Sequence, residues 1–165
     1  MRSRAWFLAG VASIAAIGCM PAPDVEPLAC QNEVAGVASL GVGDLDVGFA
    51  PMEDGDAVQA QLGPQGMHML MVSVRVDRLE AASVGSIGTE ISIRIEQAGA
   101  VIGGTVADMQ PSAESGDITD FLGMRAIFTV DDLEELTGEP IEVEAQVRDG
   151  CGRALVSIRE WELYL

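Results

Sequence analysis

The chain contains no lysine; its nine cationic side chains are all arginine, against 26 acidic residues, for a net charge of −17. Such a surface repels phosphate backbones and anionic headgroups, which excludes nucleic-acid binding. Histidine occurs once, at His68. With no second histidine and no nucleophile at motif spacing, the plainer account of His68 is a strand-end residue hydrogen-bonded to a nearby turn. A role as metal ligand or general base is the sharper alternative. There is no Gly-x-Ser-x-Gly elbow, no phosphate-binding glycine loop ahead of a helix and no His-Glu-x-x-His. Carboxylates are abundant, but abundance does not make an acid/base pair, and no enzymatic activity is expected. Aromatic residues make up only 4% of the chain, so Val, Ile, Leu and Met must fill any core. Helical stripes are also missing, apart from one turn over Asp131–Leu136 with two acidic residues at its start. No apolar run is long enough to cross a bilayer core of about 30 Å.

The longest such run, Ala5 to Gly18, follows Arg2 and Arg4 and ends at Cys19. Charge, apolar stretch and small residues in that order are the marks of a secretory signal. Ala16-Ile17-Gly18-Cys19 resembles a bacterial lipobox, although Leu or Val is usual where Ala16 stands. The resemblance implies a signal peptide over residues 1–18 and a lipidated Cys19 at the mature N-terminus, the plainer alternative being an ordinary signal peptide cut near Ala16 or Ala22. By resemblance to the enterobacterial sorting rule, in which Asp after the cysteine retains a lipoprotein in the inner membrane, Met20 implies the outer membrane. Pro21, Pro23 and Pro27 then make residues 19–29 an extended tether. The folded domain is expected over residues 30–165. Cleavage before Cys19 leaves 26 acidic and seven basic residues, a net charge of −19.

There are three cysteines. If Cys19 carries lipid, Cys30 and Cys151 remain as a pair in an oxidising compartment, and a disulfide between them is expected. Closing so long a loop is worth about 4–5 kcal/mol in the entropic account.

Alternation of period two dominates the domain. Ile141, Val143, Ala145 and Val147 face one way, and Glu142, Glu144, Gln146 and Arg148 the other. Ile91, Ile93 and Ile95 repeat the pattern within Glu90–Gln97, as do Leu70, Val72, Val74 and Val76 within His68–Val76. The opposite face there carries Met69 and Met71, with Met67 in phase, so this strand is expected to begin buried on both sides. Asp149-Gly150-Cys151-Gly152 reads as a turn into a return strand over Arg153–Leu165. In that strand the apolar phase changes between Ile158 and Trp161, which a bulge near Glu160 would reconcile. Weaker strands are read at Glu33–Leu40, Ala57–Leu62, Val101–Val106 and Leu122–Val130, with Gly103-Gly104 as a bulge or edge feature. Seven to nine strands with one-face alternation give an all-β class. The expected architecture is a single antiparallel β-sandwich of immunoglobulin-like kind, with a small β-barrel as alternative.

Phe49-Ala50-Pro51-Met52-Glu53-Asp54-Gly55-Asp56, Gly63-Pro64-Gln65-Gly66-Met67-His68 and Val72-Ser73-Val74-Arg75-Val76 together resemble a recurrent pattern in predicted lipoproteins of myxobacteria and their relatives. It reads F-x-P-x-x-D-G-D, G-P-Q-G-x-x-H and S-x-R, with one residue fewer here before the histidine. The resemblance covers about 35 residues and implies an extracytoplasmic β-rich lipoprotein, with no activity attached. Glu53-Asp54-Gly55-Asp56 reads as a tight acidic turn and Gly63–Gly66 as a hairpin connection. Asp44, Asp46, Glu53, Asp54 and Asp56 are the candidate metal ligands, because calcium takes six to eight oxygens, often from such loops. The third acidic position and closing glutamate of a calcium loop are missing, so a solvated acidic face is the plainer account. The expected function is therefore non-catalytic interaction at the cell envelope. The membrane is reached through the lipid, and the partner is an envelope protein or an extracellular polymer. A calcium-dependent adhesive or carbohydrate-binding module is the alternative.

Overall fold

The structure, a computed structural model, describes residues 35–79 and 88–165. The signal peptide, the tether, Cys19 and Cys30 lie outside the described residues, as do the first positions of the strand expected at Glu33. Eleven strands run in chain order: β1 (Val37–Asp44), β2 (Gly48–Pro51), β3 (Ala57–Gln59), β4 (Gln61–Leu62), β5 (His68–Asp77), β6 (Thr89–Gln97), β7 (Ala100–Met109), β8 (Ala113–Ser115), β9 (Ile118–Phe128), β10 (Pro140–Arg148) and β11 (Ala154–Tyr164). Among the described residues a short 3₁₀ helix, Leu133–Leu136, stands where the acidic turn was expected and buries Leu133.

The all-β class holds, and the described strands form a curled mixed sheet. All strands belong to one sheet, ordered β2-β1-β5-β9-β7-β6-β10-β11-β3, with β4 on β5 and β8 on β9. The sheet is curled into a half-barrel and is mixed. Its one parallel pair sets β3 against β11, through Ala57–Glu162, Val58–Leu163 and Gln59–Tyr164. Nothing in an alternating pattern specifies which edge a short strand will join, so this parallel pairing was not legible in the sequence.

The curl turns at a glycine pair. β7 meets β9 at only two positions, Gly103–Phe128 and Gly104–Ile127. A Cβ on Gly103 would sit 2.8 Å from the Ile127 carbonyl oxygen, and one on Gly104 would sit 2.5 Å from that of Ile93. Backbones this close admit no side chain, so these two glycines let the sheet fold over. The β6–β7 register also shifts here, making Ile102 the extra residue of a bulge. A second bulge lies between β5 and β9, where Leu122 and Gly123 oppose Ser73. Gly123 takes φ 68° there, the left-handed region open to glycine. The Ser73 hydroxyl accepts from the Gly123 N–H at 3.1 Å and donates to the Gly43 carbonyl at 3.1 Å, so a wholly buried polar side chain is fully engaged.

The strictly alternating strands supply the core. Leu70, Val72, Val74 and Val76 of β5, Ile91 and Ile95 of β6 and Ile141, Val143, Ala145 and Val147 of β10 have no accessible surface. β11 departs from expectation. Its register with β10 is continuous from Glu162 to Ala154, with no bulge near Glu160. Its inward phase is Leu155, Ser157, Arg159, Trp161 and Leu163, while Val156 and Ile158 face outward and are exposed. A buried serine and a half-buried arginine on the inner face made the apolar phase look broken.

The flanks of the curl are linked by residues 52–62. Gly55 N–H donates to the Glu160 carbonyl, and Glu162 N–H to that of Asp56. Ala60 N–H donates to the Tyr164 carbonyl, after which β4 pairs with the start of β5 through Gln61–Met69 and Leu62–His68. One kinked segment therefore pairs first with β11 and then with β5.

Candidate functional site

The five candidate metal ligands fall at opposite ends of the β1–β2 hairpin. Asp44 and Asp46 are at its tip, and Glu53, Asp54 and Asp56 beyond its base. The four residues of β2 lie between, roughly 13 Å of extended chain. Three of the five carboxylates are also engaged by backbone N–H groups. Asp44 Oδ1 accepts from Asp46 N–H at 2.8 Å and Val47 N–H at 3.0 Å. Asp56 Oδ2 accepts from Glu53 N–H at 2.8 Å, and Asp54 Oδ1 from Glu160 N–H at 3.0 Å. Among the described residues, no group of three or more His, Cys, Asp or Glu is placed to hold a metal ion.

Phe49, Ser73 and Arg75, quoted above for their pattern, act as structural ties. The Arg75 guanidinium lies 4.5 Å above the Phe49 ring and forks onto Asp120 of β9, Nε to Oδ1 at 2.7 Å and Nη2 to Oδ2 at 2.8 Å. The hydrogen bond to Asp120 raises the arginine above its ordinary value against the opposing effect of burial. His68 opens β5 opposite Leu62, half-buried, and its imidazole makes no hydrogen bond among the described residues. The expected bond from this ring to a turn is absent there.

Cys151 sits in the β10–β11 turn, which is built around Asp149. Oδ1 of that buried carboxylate accepts from Cys151 N–H at 2.9 Å and Arg153 N–H at 2.8 Å, and Oδ2 accepts from Arg153 Nε at 2.7 Å. The acidic side chain thus fixes the backbone that carries the cysteine.

The outer face of β6, β10 and β11 bears a row of like charges. Glu142 is directly opposite Glu96 on one side and Glu160 on the other. Arg94 pairs with Glu96, while Glu142 and Glu160 stay exposed. With Glu139 they line a half-open hollow of about 430 Å³. Directly opposed like charges cost stability in a sheet. The spacing of each strand was legible, but the register that aligns these glutamates was not.

A different surface lies around the β4–β5 turn. Met67, Met69 and Ile127, with Gly63, Pro64, Gln65 and Arg125, line a groove of about 210 Å³. Met69 lies over the turn at Gly63, its Sδ 3.5 Å from where a Cβ on that glycine would stand. Met69 and Met71 are half-buried, consistent with a strand covered on both sides at its start. Arg125 reaches this place as the cross-strand partner of Met71. Nothing in a single arginine between Met124 and Ala126 marked it beforehand; only the pairing of β5 with β9 does.

No protein-family model matches the chain, and no curated protein matches it closely enough to count as a relative.

Proposed function

We propose that the chain is a lipid-anchored module of the cell envelope, working by non-catalytic contact through its outer surface. The observation that carries the reading is the packing of the described interior: Trp161, Phe121, Leu40, Leu70 and the β-branched rows of β5, β6 and β10 occupy the inside of the curl. Barrels that enclose a ligand keep an internal cavity, whereas a packed one leaves recognition to its exterior. The glutamate row on β6, β10 and β11 favours a partner bearing positive charge, an envelope protein or a basic extracellular polymer. On this reading the two flanks of the curl, joined at Gly103 and Gly104, act as the leaves of an immunoglobulin-like sandwich. Cys19 carries the anchor, and Cys30 pairs with Cys151 to tie the start of the domain to the β10–β11 turn. The membrane concerned is the outer one.

Replacing Cys19 with Ser should move the protein from the membrane fraction to the soluble one; unchanged sedimentation with membranes removes the anchor. Non-reducing peptide mapping should recover Cys30 joined to Cys151, and free thiols at both positions remove that bond. Cross-linking in intact cells should capture a partner that E142K releases, and capture indifferent to that substitution moves the contact elsewhere.

A further inference from the structure

We propose that the groove beneath the β4–β5 turn is a binding site for a medium-chain fatty carboxylate, with Arg125 receiving the head and Met67, Met69 and Ile127 the tail. The inference is independent of the anchor and of the acidic face.

Arg125 stands apart from the other described arginines. Arg75, Arg78, Arg94, Arg148 and Arg153 each pair with a carboxylate, and Arg159 donates to the Ile158 carbonyl. Arg125 has neither ion pair nor hydrogen bond among the described residues, in a chain with 26 acidic side chains. It is exposed at the wall of a groove whose other lining is mostly apolar. Met67 is 44% exposed and Ile127 37%, so apolar surface is open to water beside an unneutralised cation. A ligand that covers the one and neutralises the other has an apolar body and one anionic end.

The lining narrows the class further. Two thioethers would suit a soft metal ion, but a guanidinium on the same wall repels any cation. A peptide ending in a carboxylate would need backbone partners. The main chain around the groove is already paired: β4 with β5, β5 with β9, Gly63 N–H with the Met67 carbonyl and Gly66 N–H with that of Gly63. An acyl chain needs no such partners. A volume of about 210 Å³ lies below the usual range for drug-sized ligands, which favours a chain of modest length. Methionine side chains, unbranched and polarisable, adapt readily to such a tail.

The test uses the full-length chain carrying C19S, purified without detergent and titrated with octanoate, octanol and a peptide ending in leucine. Methionine methyl resonances and calorimetry report binding. Octanoate should saturate the protein and shift two methionine methyls, those of Met67 and Met69. Affinity should rise about fourfold per methylene from butanoate upward, until the cavity is full. Arg125→Gln should weaken octanoate at least tenfold and leave octanol unchanged, while Arg148→Gln should change neither. The proposal is overturned if octanoate fails to saturate at millimolar concentration, if R125Q leaves its affinity intact, or if octanol binds equally well. Tighter binding of the leucine peptide than of octanoate overturns the assignment to a fatty carboxylate.

Discussion

Arg75 and Asp120 meet fork to fork across β5 and β9, at 2.7 and 2.8 Å, with the arginine about one-third exposed and the aspartate nearly enclosed. The asymmetry decides what each substitution should do. Arg75→Met leaves a buried carboxylate without its counter-charge and should lower unfolding free energy by about 2 kcal/mol. The double variant R75M/D120N should recover part of that loss, because no bare charge remains. Phe49→Ala removes the ring that lies beneath the guanidinium and over Gly41, and should cost about 1 kcal/mol. Urea midpoints of the four proteins check the order. Equal losses for R75M and the double variant would show that the pair is not coupled as the geometry indicates.

Ser73 and Gly123 hold the β5–β9 bulge together. Ser73→Ala strands the Gly123 N–H and the Gly43 carbonyl in a part-buried place, at a cost of about 1 kcal/mol. At Gly123 a Cβ would find room, its nearest neighbour being the Met71 methyl at 3.6 Å, so only the positive φ opposes a side chain. Gly123→Ala should therefore cost about 1 kcal/mol. Hydrogen exchange at the Gly123 amide should accelerate in S73A, and a rate unchanged from the parent would remove the hydroxyl from that role.

The glutamate row makes an opposite prediction, a gain in stability. Glu142 lies between Glu96 and Glu160, and Glu142→Gln relieves both repulsions. About 0.5–1 kcal/mol should be gained at low ionic strength. The gain should shrink in 0.5 M salt, where screening acts over a few Å. Thermal melts at the two salt concentrations separate this from a packing effect, which salt would not erase.

Tyr164 is the chain's single tyrosine, and its hydroxyl donates to Glu162 Oε2 at 2.9 Å. Ionising the phenol destroys that bond and sets two negative charges side by side. Its pKa is therefore raised above the ordinary value near 10. Absorbance of phenolate against pH should show one midpoint above that value in the folded protein. Glu162→Gln should bring the midpoint down, since a neutral amide removes the charge repulsion.

Much of the fold was legible because β5, β6 and β10 keep strict alternation, and their inward rows are the core. The turns at Glu53–Asp56, Gly63–Gly66 and Asp149–Gly152 were legible from acidic residues and glycines that bond their own backbones. Pairing was not. Whether Val58 joins β11 or β1 depends on a partner roughly a hundred residues away in the chain, and whether Glu142 faces Glu96 on one roughly fifty residues away. The phase of β11 was misread because Ser157 and Arg159 occupy inward positions that the pattern reserves for apolar groups. The Arg125 groove was hidden for a related reason. Its residues come from two strands and a turn, and no local motif joins them.

The parallel rungs between Ala57–Gln59 and Glu162–Tyr164 place an early segment beside the last strand. As the polypeptide emerges from the ribosome or a translocation pore, residue 58 has no neighbour to zip onto until residue 163 has followed. Final closure of the wall is then a late, long-range event, and topologies of that kind acquire their native shape slowly. Until then β10 presents an unpaired margin, which the last strand covers on arrival.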